Sequence, residues 1–165
     1  MKKPDGSPAK TKESKCKRMV IEKANQTLVK YAQDAGKNID GFEHEISKDF
    51  ITHVLKDHGD EKKESLSGQV AIKPEDFDKI PEIIKAPDLI SIGANNGKHD
   101  LIAYTKKRSD GTTFYLEEIL DSTRNKALRS KTMFKRKGNI DKNQFIKFVS
   151  NDNKTNISKA KIYGR

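Results

Sequence analysis

Two histidines lie five residues apart in the segment HVLKDHG, at His53 and His58. A neutral imidazole, which ordinarily titrates near pH ~6.5, can take the proton from a ribose 2′-hydroxyl. Further along the chain, LRSKTMFKR sets Thr132 among basic residues. A lysine can stabilise charge on a crowded phosphorane, and a threonine hydroxyl can hold a phosphate oxygen. These side chains suit metal-independent cleavage of RNA, with a 2′,3′-cyclic phosphate and a 5′-hydroxyl as products.

Such chemistry needs elements that bring the residues together. Ser47 is a good N-cap, Asp49 favours a first helical turn and Gly59 ends the run, which predicts a helix between them. At about 100° per residue, Phe50, Val54, Leu55 and His58 share one face, with His53 at its border one turn before Asp57. In the expected strand Leu128–Arg136, alternation sends Leu128, Ser130, Thr132 and Phe134 one way. Arg129, Lys131, Met133 and Lys135 go the other. If Leu128 and Phe134 turn toward the helices, Thr132 meets His58 between helix and sheet. Tyr104 and Lys106 share a face with Ile102 on a preceding strand and could join them. On spacing alone a histidine placed as His58 is more often a hydrogen-bonded core residue, and His53 more often an i, i+4 pair with Asp57. Lys131 and Lys135 fit ordinary solvent-facing strand positions, and Thr132 a common strand residue.

The rest of the chain falls into three parts. Residues 1–37 read as a basic linker, over about 1–14, and a helix from about Glu13 to Ala35. In that helix Val20, Ala24, Leu28, Tyr31 and Ala32 recur at helical spacing and Gly36 caps the end. Residues 38–137 hold a short strand near Phe42–Ile46, the histidine helix, and two short helical pieces around Pro74 and Pro81. Strands then follow at Leu89–Ile92, Leu101–Lys106, Thr112–Leu120 and Leu128–Arg136, with turn signals at NNG and SDG. The expected class is α+β, with N-terminal helices packed on one face of a four-stranded antiparallel meander. Residues 138–165 form an extension with a short helix over 141–149 and a frayed tail.

Charge divides the same way. Residues 1–37 carry 10 basic and 4 acidic side chains, residues 38–100 carry 8 and 14, and residues 101–165 carry 16 and 6. A polyanion is therefore drawn to the last third and the N-terminal segment rather than to the whole surface. Basic residues interleaved with aromatics on strands, at Tyr104, Lys106, Arg129, Lys131, Phe134 and Lys135, point to a nucleic-acid surface. A lysine-rich solvated exterior is the plainer alternative.

Several classes drop out. No P-loop, dinucleotide-binding, zinc-protease or serine-hydrolase signature is present. His44, His53, His58 and His99 form no close HxH pair, and the acidic residues lack the spacing of a calcium loop or two-metal site, so neither metal nor cofactor is expected. The lone Cys16 can form no internal disulfide. No apolar run reaches the ~18 residues of a membrane span, and the lysine-rich N-terminus lacks the apolar stretch of a secretory signal.

At HVLKDHG (53–59), GQVAIKPEDFDKIPEII (68–84), PDLI (87–90), LIAYTKK (101–107) and KTMFK (131–135), the chain resembles a nuclease superfamily. This is the phage and polymorphic-toxin branch of the barnase–EndoU–colicin–RelE-like (BECR) fold, and the match runs from about Ile39 to Arg136. The resemblance implies a helical layer before a curved four-stranded antiparallel sheet, with RNA across its concave surface. It also implies a metal-independent endoribonuclease, often directed at tRNA, carried at the C-terminus of a larger toxin or phage protein. Such a toxin acts in the cytoplasm of a target cell and is restrained by an immunity protein. Position by position, the histidine motif falls on His53 and His58, the basic residue after the tyrosine on Lys106, and the final-strand motif on Thr132 and Lys135. Phe134 stands where a tyrosine is common, so Tyr104 or Tyr115 would have to supply any phenolic hydroxyl.

The expectations are thus a monomeric RNA-cleaving domain with His53, His58, Lys106 and Thr132 as catalytic residues. Tyr104, Arg129, Lys131 and Lys135 would contact RNA, and the immunity partner should be acidic. The alternative is a non-catalytic nucleic-acid-binding or phage structural module on the same scaffold.

Overall fold

The computed structural model describes residues 18–150 and 155–164. The linker expected over 1–14 and Cys16 lie outside them. The element order is β1 (Arg18–Lys23), α1 (Gln26–Asp34), β2 (Glu43–Ser47), α2 (Lys48–His58), α3 (Glu61–Leu66) and β3 (Gln69–Val70). A 3-10 turn (Pro74–Lys79) and α4 (Ile80–Lys85) precede β4 (Leu89–Asn95), β5 (Asp100–Arg108), β6 (Gly111–Asp121) and β7 (Lys126–Arg136). Then come α5 (Lys142–Val149) and β8 (Lys161–Gly164).

All eight strands among the described residues join one mixed sheet in the order β1-β2-β7-β6-β5-β4-β8, with β3 also on β7. This overturns the expected four-stranded antiparallel meander beneath N-terminal helices. Consecutive strands β4 to β7 pair antiparallel through short connections. The sheet continues past both ends, because β2 pairs parallel with β7 and β8 antiparallel with β4. Those pairings join segments far apart in the chain, and no local alternation signals them. The N-terminal helix expected from Glu13 is also corrected. Arg18–Lys23 is a strand on β2, and the helix starts only after Asn25, whose side chain accepts from Leu28 N at 2.8 Å. The tail expected to fray contains β8, where Tyr163 stacks on Tyr31 at 4.4 Å and donates to Asp34.

Both faces of the sheet are covered, which is why β5 and β6 are buried along most of their length. On one face Leu28, Val29 and Ala32 of α1, Phe50 and Val54 of α2, and Ile80, Ile83 and Ile84 of α4 pack on Ile92, Ile102, Tyr115 and Leu128. On the other, Phe145 and Val149 of α5 pack on Leu101, Ala103, Phe114 and Leu116. The histidine helix begins at Ser47, which accepts from Phe50 N at 3.0 Å, as its sequence predicts. Pro81 sits in the first turn of α4, where a missing N–H costs nothing.

A bulge in β7 decides where the site residues point. Leu116 pairs with Thr132 but Glu117 with Ser130, so Lys131 is the extra residue and the alternation reverses there. Leu128 and Met133 consequently face the α1–α2 side, while Phe134 lies against the α5 side. The expectation that Leu128 and Phe134 share a face is corrected by this one residue.

The α1–α2 core contains a polar cluster. Glu117, wholly buried, meets His44 Nδ1 at 2.6 Å and accepts from Tyr104 at 2.6 Å and Tyr115 at 3.1 Å. Burial disfavours the charged imidazole, but the charge and hydrogen bond of Glu117 outweigh it and hold the His44 pKa above its usual value. Burial, reinforced by the Glu117 charge, pushes both tyrosine hydroxyls well above the usual phenol range.

Candidate active site

His58 is the last residue of α2, and three connections fix it. Gly59 ends the helix, Asp60 caps α3 by accepting from Lys62 N at 3.0 Å, and Ile72 N donates to the His58 carbonyl at 2.7 Å. The tight α2–α3 corner sets Glu64 under the imidazole, with Oε1 2.8 Å from Nδ1. Glu64 is 3% exposed, whereas the His58 side chain keeps 23% of its surface. A carboxylate on Nδ1 fixes the ring's orientation and favours the tautomer with hydrogen there, leaving Nε2 free to act as a base.

That ring borders a cleft of about 290 Å³ on the α5 side of the sheet. Its lining includes His58, Gln69, Lys131, Thr132, Phe134 and Arg136, closed by Phe148 and Val149 of α5. The strand pairings explain the opening. β2 pairs with β7 only as far as Arg129, and β3 takes up the same strand at Lys135 and Arg136. The stretch between them holds the bulge and Thr132. Phe134 supplies the floor, stacked on Phe114 at 4.8 Å and 5.7 Å from the His58 ring. Arg136 is braced by Phe148, with its guanidinium 4.0 Å from the ring centre.

Of the eight residues expected from sequence, the structure brings His58, Thr132 and Lys131 to one cleft. His53 lies outside it, half-exposed and 3.2 Å from Asp57, the i, i+4 pair that its spacing allowed. Tyr104 is fully buried on Glu117 and has no surface to offer RNA. Lys106 donates to the Ala86 carbonyl at 2.6 Å and borders a different cleft. Arg129 is half-buried where β2 pairs with β7.

Lys135 is 1% exposed and bridges Asp110 at 2.7 Å and Asp76 at 2.9 Å. Burial opposes its charge, yet those hydrogen bonds raise the ammonium pKa above its ordinary value. Lys135 is thus a structural ion, not a surface contact. Lys135→Ala is expected to lower stability by about 3 kcal/mol in urea denaturation, because it leaves the buried Asp76 carboxylate without its cation. RNA affinity of the folded variant should stay at the parent value.

Sequence reasoning missed Glu64, Gln69 and Arg136. Asp60 is a legible cap for α3, but nothing local shows that Glu64 turns inward. Among the described residues, no three His, Cys, Asp or Glu side chains cluster to hold a metal ion. No helix among them is long and apolar enough to cross a membrane.

A partly exposed histidine held by a buried carboxylate, beside a hydroxyl and two cations in a cleft, is an arrangement that can move protons at a phosphate. The class this fold and site define is a nuclease domain. The chain belongs to the family of phage Barnase–EndoU–ColicinE5/D–RelE like nucleases, type 3, whose model matches residues 22–143, from β1 into α5. No curated protein and no solved structure matches the chain.

Proposed function

We propose that this nuclease domain is a metal-independent endoribonuclease that acts through the ribose 2′-hydroxyl. The observation that carries the reading is the His58–Glu64 pair on the wall of a cleft that also holds Thr132, Lys131 and Arg136. Nε2 of His58 takes the 2′-hydroxyl proton as O2′ bonds to phosphorus. The P–O5′ bond breaks, and O5′ takes a proton from water. The Thr132 hydroxyl donates to a non-bridging phosphate oxygen, and Lys131 and Arg136 offset the developing charge. Glu64 keeps the imidazole oriented and stabilises the imidazolium that forms. His53 has no part in this assignment.

In the same reading the domain is a toxin or effector module that acts in the cytoplasm of a target cell, with tRNA among its candidate substrates. An acidic immunity protein would restrain it, consistent with the excess of basic residues beyond residue 100. Incubation with total RNA in EDTA, resolved on a denaturing gel, tests the chemistry. Discrete fragments ending in 2′,3′-cyclic phosphate are expected. RNA that stays intact with folded protein, while shifting on a native gel, would replace this reading with a binding module.

A further inference from the structure

A second, larger cleft of about 1050 Å³ opens where β5 turns into β6, and nothing in the proposed reaction uses it. Lys79, Lys106, Lys107, Arg108 and Lys142 border it, against Asp88 and Asp141. Both carboxylates are already engaged by the backbone. Asp88 accepts from Lys107 N at 2.8 Å, and Asp141 caps α5 by accepting from Gln144 N at 2.8 Å. Among the cations, Lys106 donates to the Ala86 carbonyl and Lys79 lies 4.0 Å from Asp76. Arg108 gives Nη1 to Glu82 at 2.7 Å, but its Nε and Nη2 are buried with no partner among the described residues. Buried guanidinium donors left unpaired are costly, and an anion oxygen is the acceptor that suits them.

The placement relates this cleft to the first. Ile140, Asp141 and Lys142 at the start of α5 line it, whereas Phe148 and Val149 at the end of α5 line the His58 cleft. An eight-residue helix is about 12 Å long, a span that a few nucleotides can cross. Thr112 of the second cleft is also the cross-strand partner of Arg136 of the first. We propose that the basic cleft is a phosphodiester-binding subsite that holds the sugar-phosphate backbone of a single strand several nucleotides from the cleaved bond. The proposal rests on the RNA-cleaving reading above and extends it to a substrate longer than a dinucleotide.

Lys107 and Lys142 are exposed, so their replacement should leave the fold intact. The test compares Lys107→Ala/Lys142→Ala with the parent protein and with a control, Lys56→Ala/Lys62→Ala, that removes two cations away from both clefts. The readouts are binding of a labelled single-stranded RNA across a salt series and cleavage of a dinucleotide. For Lys107→Ala/Lys142→Ala, affinity for the long RNA should fall about tenfold and the log–log salt slope by about 1.4, two phosphate contacts at ~0.7 each. Dinucleotide cleavage should stay at the parent rate. Equal losses in the control would reduce the cleft to general surface charge and overturn the proposal, as would parental affinity in the Lys107→Ala/Lys142→Ala variant. Polyglutamate that displaces the RNA at equal charge would make this an acidic-protein surface instead, which also overturns it. If the long RNA binds as expected but neither substrate is cut, the catalytic reading fails and the backbone-binding subsite stands.

Discussion

A His58→Ala variant is expected to cleave RNA about 10²–10⁴-fold more slowly than the parent, the contribution typical of a positioned general base. Binding should change little, because the side chain removed contributes no fixed charge to the cleft when neutral. Glu64→Gln makes the sharper test. It keeps the shape and a possible hydrogen bond at Nδ1 but removes the charge that favours one tautomer and stabilises the imidazolium. Its kcat should fall by about 10–100-fold with KM nearly constant, a loss of the size seen when a partner that orients a histidine is removed. A role confined to packing α3 against α2 would instead lower the melting temperature and leave kcat of the folded fraction unchanged. Free imidazole should restore part of the activity to His58→Ala and none to Glu64→Gln. A fully active His58→Ala variant of matched stability would remove this residue from the chemistry.

The second large effect concerns stability. His44 and Glu117 have no exposed side-chain surface and lie 2.6 Å apart. Glu117→Ala should destabilise the protein by about 3–5 kcal/mol, because it leaves a buried imidazole and two tyrosine hydroxyls without their shared acceptor. His44→Ala should cost a similar amount. The double variant should cost clearly less than the two losses combined, which a double-mutant cycle by urea denaturation would measure. The sign of the pH dependence follows from the raised imidazole pKa. A group whose pKa is higher folded than unfolded contributes its full stabilisation below the unfolded value, ~6.5, and loses it as pH rises through the folded one. The parent should therefore lose part of its advantage over His44→Ala as pH rises from ~6.5 into the alkaline range. A constant difference across that window would mean that His44 does not change its proton occupancy there.

Much of the local structure is legible in the sequence, and the reason is that its signals are short-range. Ser47 and Gly59 delimit α2, Pro74 and Pro81 mark two short helical turns, and the NNG and SDG turns separate β4, β5 and β6. Each depends on a cap, a fixed φ or a positive φ within a few residues. Apolar spacing through Val20 fits a helix, whereas pairing with β2 makes Arg18–Lys23 a strand. The outer strands and the covering of the second face by α5 depend on pairings between distant segments, which periodicity cannot report.

The candidate site divides along the same line. Its residue types, a histidine closing a helix and a Thr132 within a basic strand, are written in the sequence, as is the charge that favours a polyanion. The convergence of His58 with Thr132 also depends on one extra residue, Lys131, that reverses the alternation of β7. That reversal turns Thr132 and Phe134 away from the face that carries Tyr104. Whether Lys135 meets solvent or the carboxylates of Asp76 and Asp110 depends on segments distant in the chain, and whether Glu64 faces water or His58 depends on the tight α2–α3 corner. A sequence determines which side chains can carry charge and protons and where short-range geometry starts and stops. Only tertiary packing decides which of them share a cleft, because a one-residue bulge or a long-range strand pairing redirects side chains without leaving a signal in the local sequence pattern.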